Sequence, residues 1–399
     1  VNHASTPSFD PNTGDLGMSF LLNEEQRQLS DSAIEFLMAQ SPLSLQRHLR
    51  DSQSELGFEL SLWQQVVDLG WPAAVFPESQ GGLAVGYKGL GSIFEAMGRS
   101  LAALPLLSSV VLCGELVLRA GNPSQQARWL PSLMDGSQRM ALAMDEQGRH
   151  NPEKTKTMAS RVGDGWVLNG EKWFVMDGMG APWLVVYAQT DDPSDDQTHD
   201  RSGLFLVDTT LAGVRLMPTR LADSRNYARL QLSGVQISDD MRLAGTHCQP
   251  RQALDAALDR GRICLAAEGL GLLQEAFART NAYLKERVQF DVPIGSFQAL
   301  QHRMARLYTE LEMLQSCVRA ALVALDSEVP DVAVLASLAK ARASDLCEKL
   351  MNEAIQLHGG IGVTDEFDLG LIVKRARVLQ HLLGDGVFHR NRYASLKGF

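Results

Sequence analysis

The chain has no run of the ~18 uninterrupted apolar residues that a membrane-spanning helix needs. Nothing in it reads as a charged-then-apolar secretion signal. These two absences predict a protein that neither spans a membrane nor is exported, and the expected compartment is the cytoplasm. Cysteine is scarce: Cys113, Cys248, Cys264, Cys317 and Cys347 are odd in number, scattered among apolar neighbours and without CxxC spacing. That excludes a disulfide framework and predicts buried thiols in a reducing compartment. There is no basic run, and a formal net charge of -10 argues against nucleic acid or an anionic membrane as the main partner. What is present is length, 399 residues at 45% hydrophobic content, enough for a large core divided over two or three packed units.

Residues 1–17, "VNHASTPSFDPNTGDLG", are polar and rich in Pro, Gly and Asn, and are expected to form a flexible extension. From Asn23, "NEEQRQLSDSAIEFL" offers an N-cap followed by Leu29, Ala33, Ile34 and Leu37 at helical spacing. Helical patterns continue through "GLGSIFEAMGRSL" to "PSQQARWLPSLMDG", giving a helical unit over 18–138. Over 139–248 the period changes to two in "WVLNGEKWFV", "WLVVYAQ", "GLFLVD" and "RLQLSGVQI", the pattern of a β domain. Asn169-Gly170 reads as a hairpin turn, since a primed turn needs positive φ at both central residues. The acidic "TDDPSDDQTHDRSG" is expected to be a solvated loop. Over 249–399 helical periodicity returns, with Leu300, Met304, Leu307, Leu311, Leu314, Val318, Leu322 and Leu325 on one stripe and a second long helix at about 331–357.

Four strings, in order along the chain, carry a resemblance. "LWQQVVDLGWPAAVFPESQGG", with Pro77, Glu78, Gly81 and Gly82, resembles the N-terminal signature of the acyl-CoA dehydrogenase family, and "VLNGEKWFV" is similar to the opening of its β domain. "YLKERVQFDVPIGSFQALQHRMARLY" is similar to its Arg-x-x-Phe segment and "IQLHGGIGVTDEF" to its Gln-x-x-Gly-Gly-x-Gly segment. The resemblance implies an α+β fold with an N-terminal helical domain, a middle β-barrel domain and a C-terminal four-helix bundle. It also implies FAD as cofactor, an acyl-CoA thioester as substrate and an electron-transfer flavoprotein as acceptor. In that family a carboxylate removes the α-proton while flavin N5 accepts the β-hydride.

Mapped onto this chain, Arg287, Phe290, Gln298, Gln356, Gly359 and Gly360 stand where the family contacts the ADP end of FAD. An isolated Gly359-Gly360 pair would read first as a helix C-cap, but Gln356 just before it and Arg287 with Phe290 upstream tip the reading to close approach of a diphosphate to backbone amides; Gln298, at a helix start, reads as a cap or as a contact. The groups around the reactive rings diverge. Leu383 and Gly261 occupy the two usual positions of the base, and leucine cannot take a proton. Asp385, two residues beyond Leu383, is the substitute base or simply a helix N-cap. Asp145 stands in place of a ring-binding threonine, and Phe174 and Met176 in place of a tryptophan and a threonine. Arg262, beside Asp259, matches an arginine near the CoA entrance or serves as an ordinary helix ion pair. His358 reads as a satisfied interface histidine, and His381 and His389 do not make a metal site, so no metal is expected.

The family builds each flavin site at a dimer interface, one subunit holding the rings and its neighbour the ADP end. Retention of one set and loss of the other resembles the heteromeric acyl-CoA dehydrogenases of bacterial steroid and related ring-bearing acyl-CoA breakdown, tetramers with half the usual flavins. Three readings follow: the ADP-clamping, non-catalytic subunit of such a heteromer; a homo-oligomer using Asp385 as base; and a flavin-free scaffold or binding protein.

Overall fold

Residues 21–191, 201–245, 248–327 and 329–399 are described by the computed structural model of the chain. The expected extension at 1–17 and most of the expected acidic loop lie outside them. The helix α1 (Glu24–Gln40) starts where the sequence places its cap: the Asn23 side chain accepts from Gln26 N–H at 2.8 Å, and the Gln26 side chain accepts from Asn23 N–H at 3.2 Å. Its buried face carries Ala33 and Leu37. Then come α2 (Leu43–Asp51), α3 (Leu60–Asp68), α4 (Tyr87–Ser100), a wholly buried π-helix at Leu106–Gly114, α5 (Glu115–Ala120) and α6 (Pro123–Met134).

The middle of the chain is one curled seven-stranded sheet. Its strands are β1 (Met140–Ala143), β2 (Met158–Val162), β3 (Gly165–Met176), β4 (Trp183–Thr190), β5 (Ser202–Asp208), β6 (Val214–Arg220) and β7 (Asn226–Ser238). The path runs β1-β4-β2-β3-β7-β6, with β5 on the other edge of β4. The hairpin expected at Asn169-Gly170 is not there: β2 and β3 turn between Val162 and Gly165, and Asn169-Gly170 lies inside β3. Gly170 has φ +150° at a register shift, and a Cβ there would press on Thr157 of the neighbouring chain segment. The glycine therefore serves a bulge and a close approach, the other use of glycine in a strand.

The C-terminal domain is helical. It comprises α7 (Pro250–Glu286), a short hairpin of β8 (Val288–Gln289) and β9 (Val292–Pro293), α8 (Gln298–Asp326), α9 (Val332–His358), α10 (Leu369–His381) and α11 (Gly386–Lys397). The α8 stripe from Met304 to Leu325 is buried as its period predicts, with Leu300 at its partly buried start. Arg375 on α10 joins this domain to the β domain: it donates twice to Glu268 of α7 (2.9 Å each) and once to Asp223 of the β6–β7 loop (2.7 Å), all buried. The five cysteines are unbridged. Cys113, Cys264 and Cys347 are buried as expected, but Cys248 and Cys317 are only half-buried. Among the described residues no helix is long and apolar enough to cross a membrane.

Candidate functional site

Two places answer to the residues singled out from sequence, and they lie on different surfaces. The first is one end of the helical domain. There α7 and α9 finish side by side, with the Tyr283 ring stacked on His358 at 4.5 Å and its hydroxyl donating to the His358 carbonyl at 3.3 Å. His358 is 3% exposed and its Nδ1 bonds to the Ala354 carbonyl at 2.8 Å. It is packed inside the domain, and burial lowers its pKa. The β8–β9 hairpin projects from the end of α7. Arg287 is exposed and ion-paired to no carboxylate among the described residues. Phe290, 86% exposed, is held out at positive φ (+55°). Gln298 opens α8 as its first residue, but Phe297 occupies the cap position, so the expected capping role is absent.

Gly359 and Gly360 separate into two cases. Gly359 ends α9 with φ +65° and ψ -142°, and its N–H bonds back to Gln356 and Ile355, so the C-cap reading holds for it. Gly360 has no positive φ, and a Cβ on either glycine would meet nothing within 4 Å. No atom of this chain excludes a side chain at Gly360. Together with exposed Gln356, this end offers a side-chain amide, a guanidinium and an aromatic ring to a partner outside the chain, a set suited to a dinucleotide diphosphate.

The second place is a cleft of about 270 Å³ between the β domain and α10, walled by Leu112, Leu142, Met144, Phe174, Met176 and Leu383 among others. It gathers the ring-end positions. Phe174 (φ +52°) and Met176 end β3 after a bulge, and Asp145 follows β1. The two base positions meet one another here: a Cβ on Gly261 would lie 2.8 Å from Leu383 Cδ1 and 2.8 Å from Leu112 Cδ2. Apolar side chains fill the space a catalytic carboxylate would use. Leu383 is itself held at φ +54° by its carbonyl, which accepts from Arg262 Nε (3.2 Å) and contacts His389 Nε2 (3.1 Å). The buried Lys340 donates to the next carbonyl, Gly384, at 2.8 Å; burial lowers its pKa to about 7.

Asp385 does not line the cleft. Its carboxylate accepts from Phe388 N–H at 2.8 Å and caps α11. Asp145 is the one carboxylate lining the cleft among the described residues, and both its oxygens are engaged, by His150 Nδ1 at 2.9 Å and by Asn151 N–H at 3.0 Å. His150, which the sequence reading passed over, passes the chain on: its Nε2 faces Arg262 at 3.1 Å, and Arg262 in turn donates to Asp259 at 2.9 Å. Arg262 is thus more than a plain helix pair, since it is 2% exposed and ties α7 to the loop after β1 and to the Leu383 turn. His389 is buried with its Nδ1 unpartnered, while His381 stands exposed at the cleft.

With this geometry in place, comparison with known proteins is direct. Three family descriptions match in order: acyl-CoA dehydrogenase N-terminal domain over residues 23–137, middle domain over 141–239 and C-terminal domain over 251–395. The chain belongs to the acyl-CoA dehydrogenase family. It is 28% identical to the mitochondrial 2-methylacyl-CoA dehydrogenase of Solanum tuberosum over 93% of this chain and 90% of that one. Among solved structures, the ChsE4-ChsE5 complex from Mycobacterium tuberculosis superposes with TM-score 0.85 at 26% identity, covering 95% of this chain and 99% of the other. A steroid acyl-CoA dehydrogenase, Tcur3481-Tcur3483, gives TM-score 0.83 at 29% identity with the same coverage.

FAD is the cofactor of this family of oxidoreductases. The two surfaces fit it unequally. The open, exposed glycine end has room and donors for the ADP portion. The cleft presents to a ring system a methionine that donates no hydrogen bond and an aspartate already spent on His150 and Asn151.

Proposed function

We propose that this chain is the ADP-clamping, chemically silent subunit of a heteromeric, FAD-dependent acyl-CoA dehydrogenase. The α,β-desaturation of the acyl-CoA would then take place in a homologous companion chain. The observation that carries this reading is that neither usual base position holds an acid: 383 carries an apolar leucine, and a side chain at Gly261 would collide with Leu383 and Leu112. Arg287, Phe290, Gln356 and Gly360 would grip the nucleotide end of a flavin whose rings lie in the companion, with Gln298 at the edge of the same surface. The likeness to a steroid acyl-CoA dehydrogenase and to a two-component complex supports a ring-bearing acyl-CoA as substrate class and a heteromer as the working form. An electron-transfer flavoprotein fits as acceptor by the chemistry of the family. Asp385 would have to give up the α11 cap to act as a base, so the self-sufficient homomer is disfavoured. A cofactor-free scaffold leaves the exposed Arg287 and Phe290 without purpose.

The test is expression of the chain alone and with its homologous companion, followed by visible spectra and flavin-to-protein ratios. The expected outcome is colour only in the co-expressed assembly, with one flavin for every two chains. A yellow lone chain bleached by an acyl-CoA would overturn the proposal.

A further inference from the structure

The cleft is too well formed to be read only as a lost ring site. Its inner wall is apolar, and the polar groups that reach it satisfy one another: Asp145 with His150 and Asn151, His150 with Arg262, Arg262 with Asp259 and the Leu383 carbonyl. Among the described residues the polar side chains of the inner wall are thus already paired with one another, whereas the mouth is different. On α10, Arg377 and His381 stand one turn apart and both line the cleft. Arg377 is half-buried and donates to two neutral amides, Asn352 Oδ1 at 2.7 Å and Gln380 Oε1 at 3.3 Å. No carboxylate is ion-paired with it among the described residues, and Glu348 reaches this side only through Gln380 Nε2 at 3.1 Å. A half-buried guanidinium without an anion, at the rim of an apolar cavity, has the complement of an amphiphile with a single negative head.

We infer that the cleft binds an apolar monocarboxylate, its body against Leu142, Met144, Phe174 and Met176 and its carboxylate on Arg377 and His381. The inference rests on the silent-subunit reading, in which no flavin ring occupies this cleft. It gives the chain a binding activity of its own, toward a free acid.

Octanoate and octan-1-ol, equal in chain length and different in charge, are suitable probes for calorimetric titration of the co-expressed assembly. Substitutions are confined to this chain, so that any site on the companion stays constant. Octanoate is expected to bind at a site that Arg377→Gln weakens about tenfold, consistent with loss of one charge-assisted contact. Ala222→Trp, at an exposed rim position of the cleft, removes that site, and octan-1-ol binds it about tenfold more weakly than octanoate. Equal affinity for the acid and the alcohol, or octanoate binding unchanged in both variants, overturns the inference. Flavin content measured in the same samples separates the two ideas: a flavin per copy of this chain, displaced by octanoate, sinks the silent-subunit reading instead.

Discussion

At Gly360 the reason for a glycine is missing from the chain itself, which makes the residue a direct probe of what lies outside it. Ala at Gly360 has no collision to make and no strained φ to adopt, so the stability of the isolated chain should change by no more than about 0.5 kcal/mol. Flavin retained by the co-expressed assembly should nonetheless fall several-fold, as read from absorbance after gel filtration. Unchanged flavin content would mean that nothing approaches this backbone. His389 supports a second prediction. Burial, reinforced by Lys340 and Arg262, lowers its pKa from the ordinary 6.5 to about 2. Between those two values the unfolded chain binds a proton that the folded chain refuses, so this contribution to stability is complete above about pH 6.5 and lost as pH falls. Urea midpoints of the wild type should therefore drop more steeply from pH 7 to pH 4 than those of His389→Gln. Parallel curves would show that the imidazole does not carry the effect.

The element that decides between catalyst and cap is the start of α11. If Asp385 is only the cap, Asp385→Asn keeps an acceptor for Phe388 N–H and should leave both melting temperature and turnover of the assembly unchanged, while Asp385→Ala costs about 1 kcal/mol of stability. Loss of turnover in the asparagine variant, with flavin still bound, would restore Asp385 as a base. Caps and helical stripes were legible from sequence because they are local: Asn23 and Gln26 sit three residues apart, and the α8 leucines obey a period that burial enforces. Asn169-Gly170 was misread because a primed turn and a bulge ask the same backbone freedom of glycine; what distinguishes them is Thr157, just before β2 and twelve and thirteen residues away in sequence. His150 could not be found for the same reason. Its meaning lies in Arg262, 112 residues along the chain, and a lone histidine in a loop carries no pattern. The absence of acids at Leu383 and Gly261 was legible only through the family resemblance, and that the two positions touch was not legible at all.

Across the whole molecule, the buried Arg375 cluster holds helical and β domains in one arrangement, and with them the cleft and the glycine end. Arg375→Met would leave Glu268 and Asp223 as buried acids without their main counter-charge, an expected loss of about 3–5 kcal/mol visible as a lowered thermal midpoint. Retained stability would show that Arg225, which lies 3.3 Å from Glu268, suffices alone. The packing of Leu383 on Gly261 bears on history as well as on chemistry. Placing an acid at 261 first requires trimming the leucine, and the resulting void costs about 2–5 kcal/mol before any benefit arrives. Placing it at 383 instead sets a charge among Leu107, Leu112 and other apolar groups. Either route carries a stability cost, so on the silent-subunit reading proposed above an acid at these positions is not regained without compensation elsewhere.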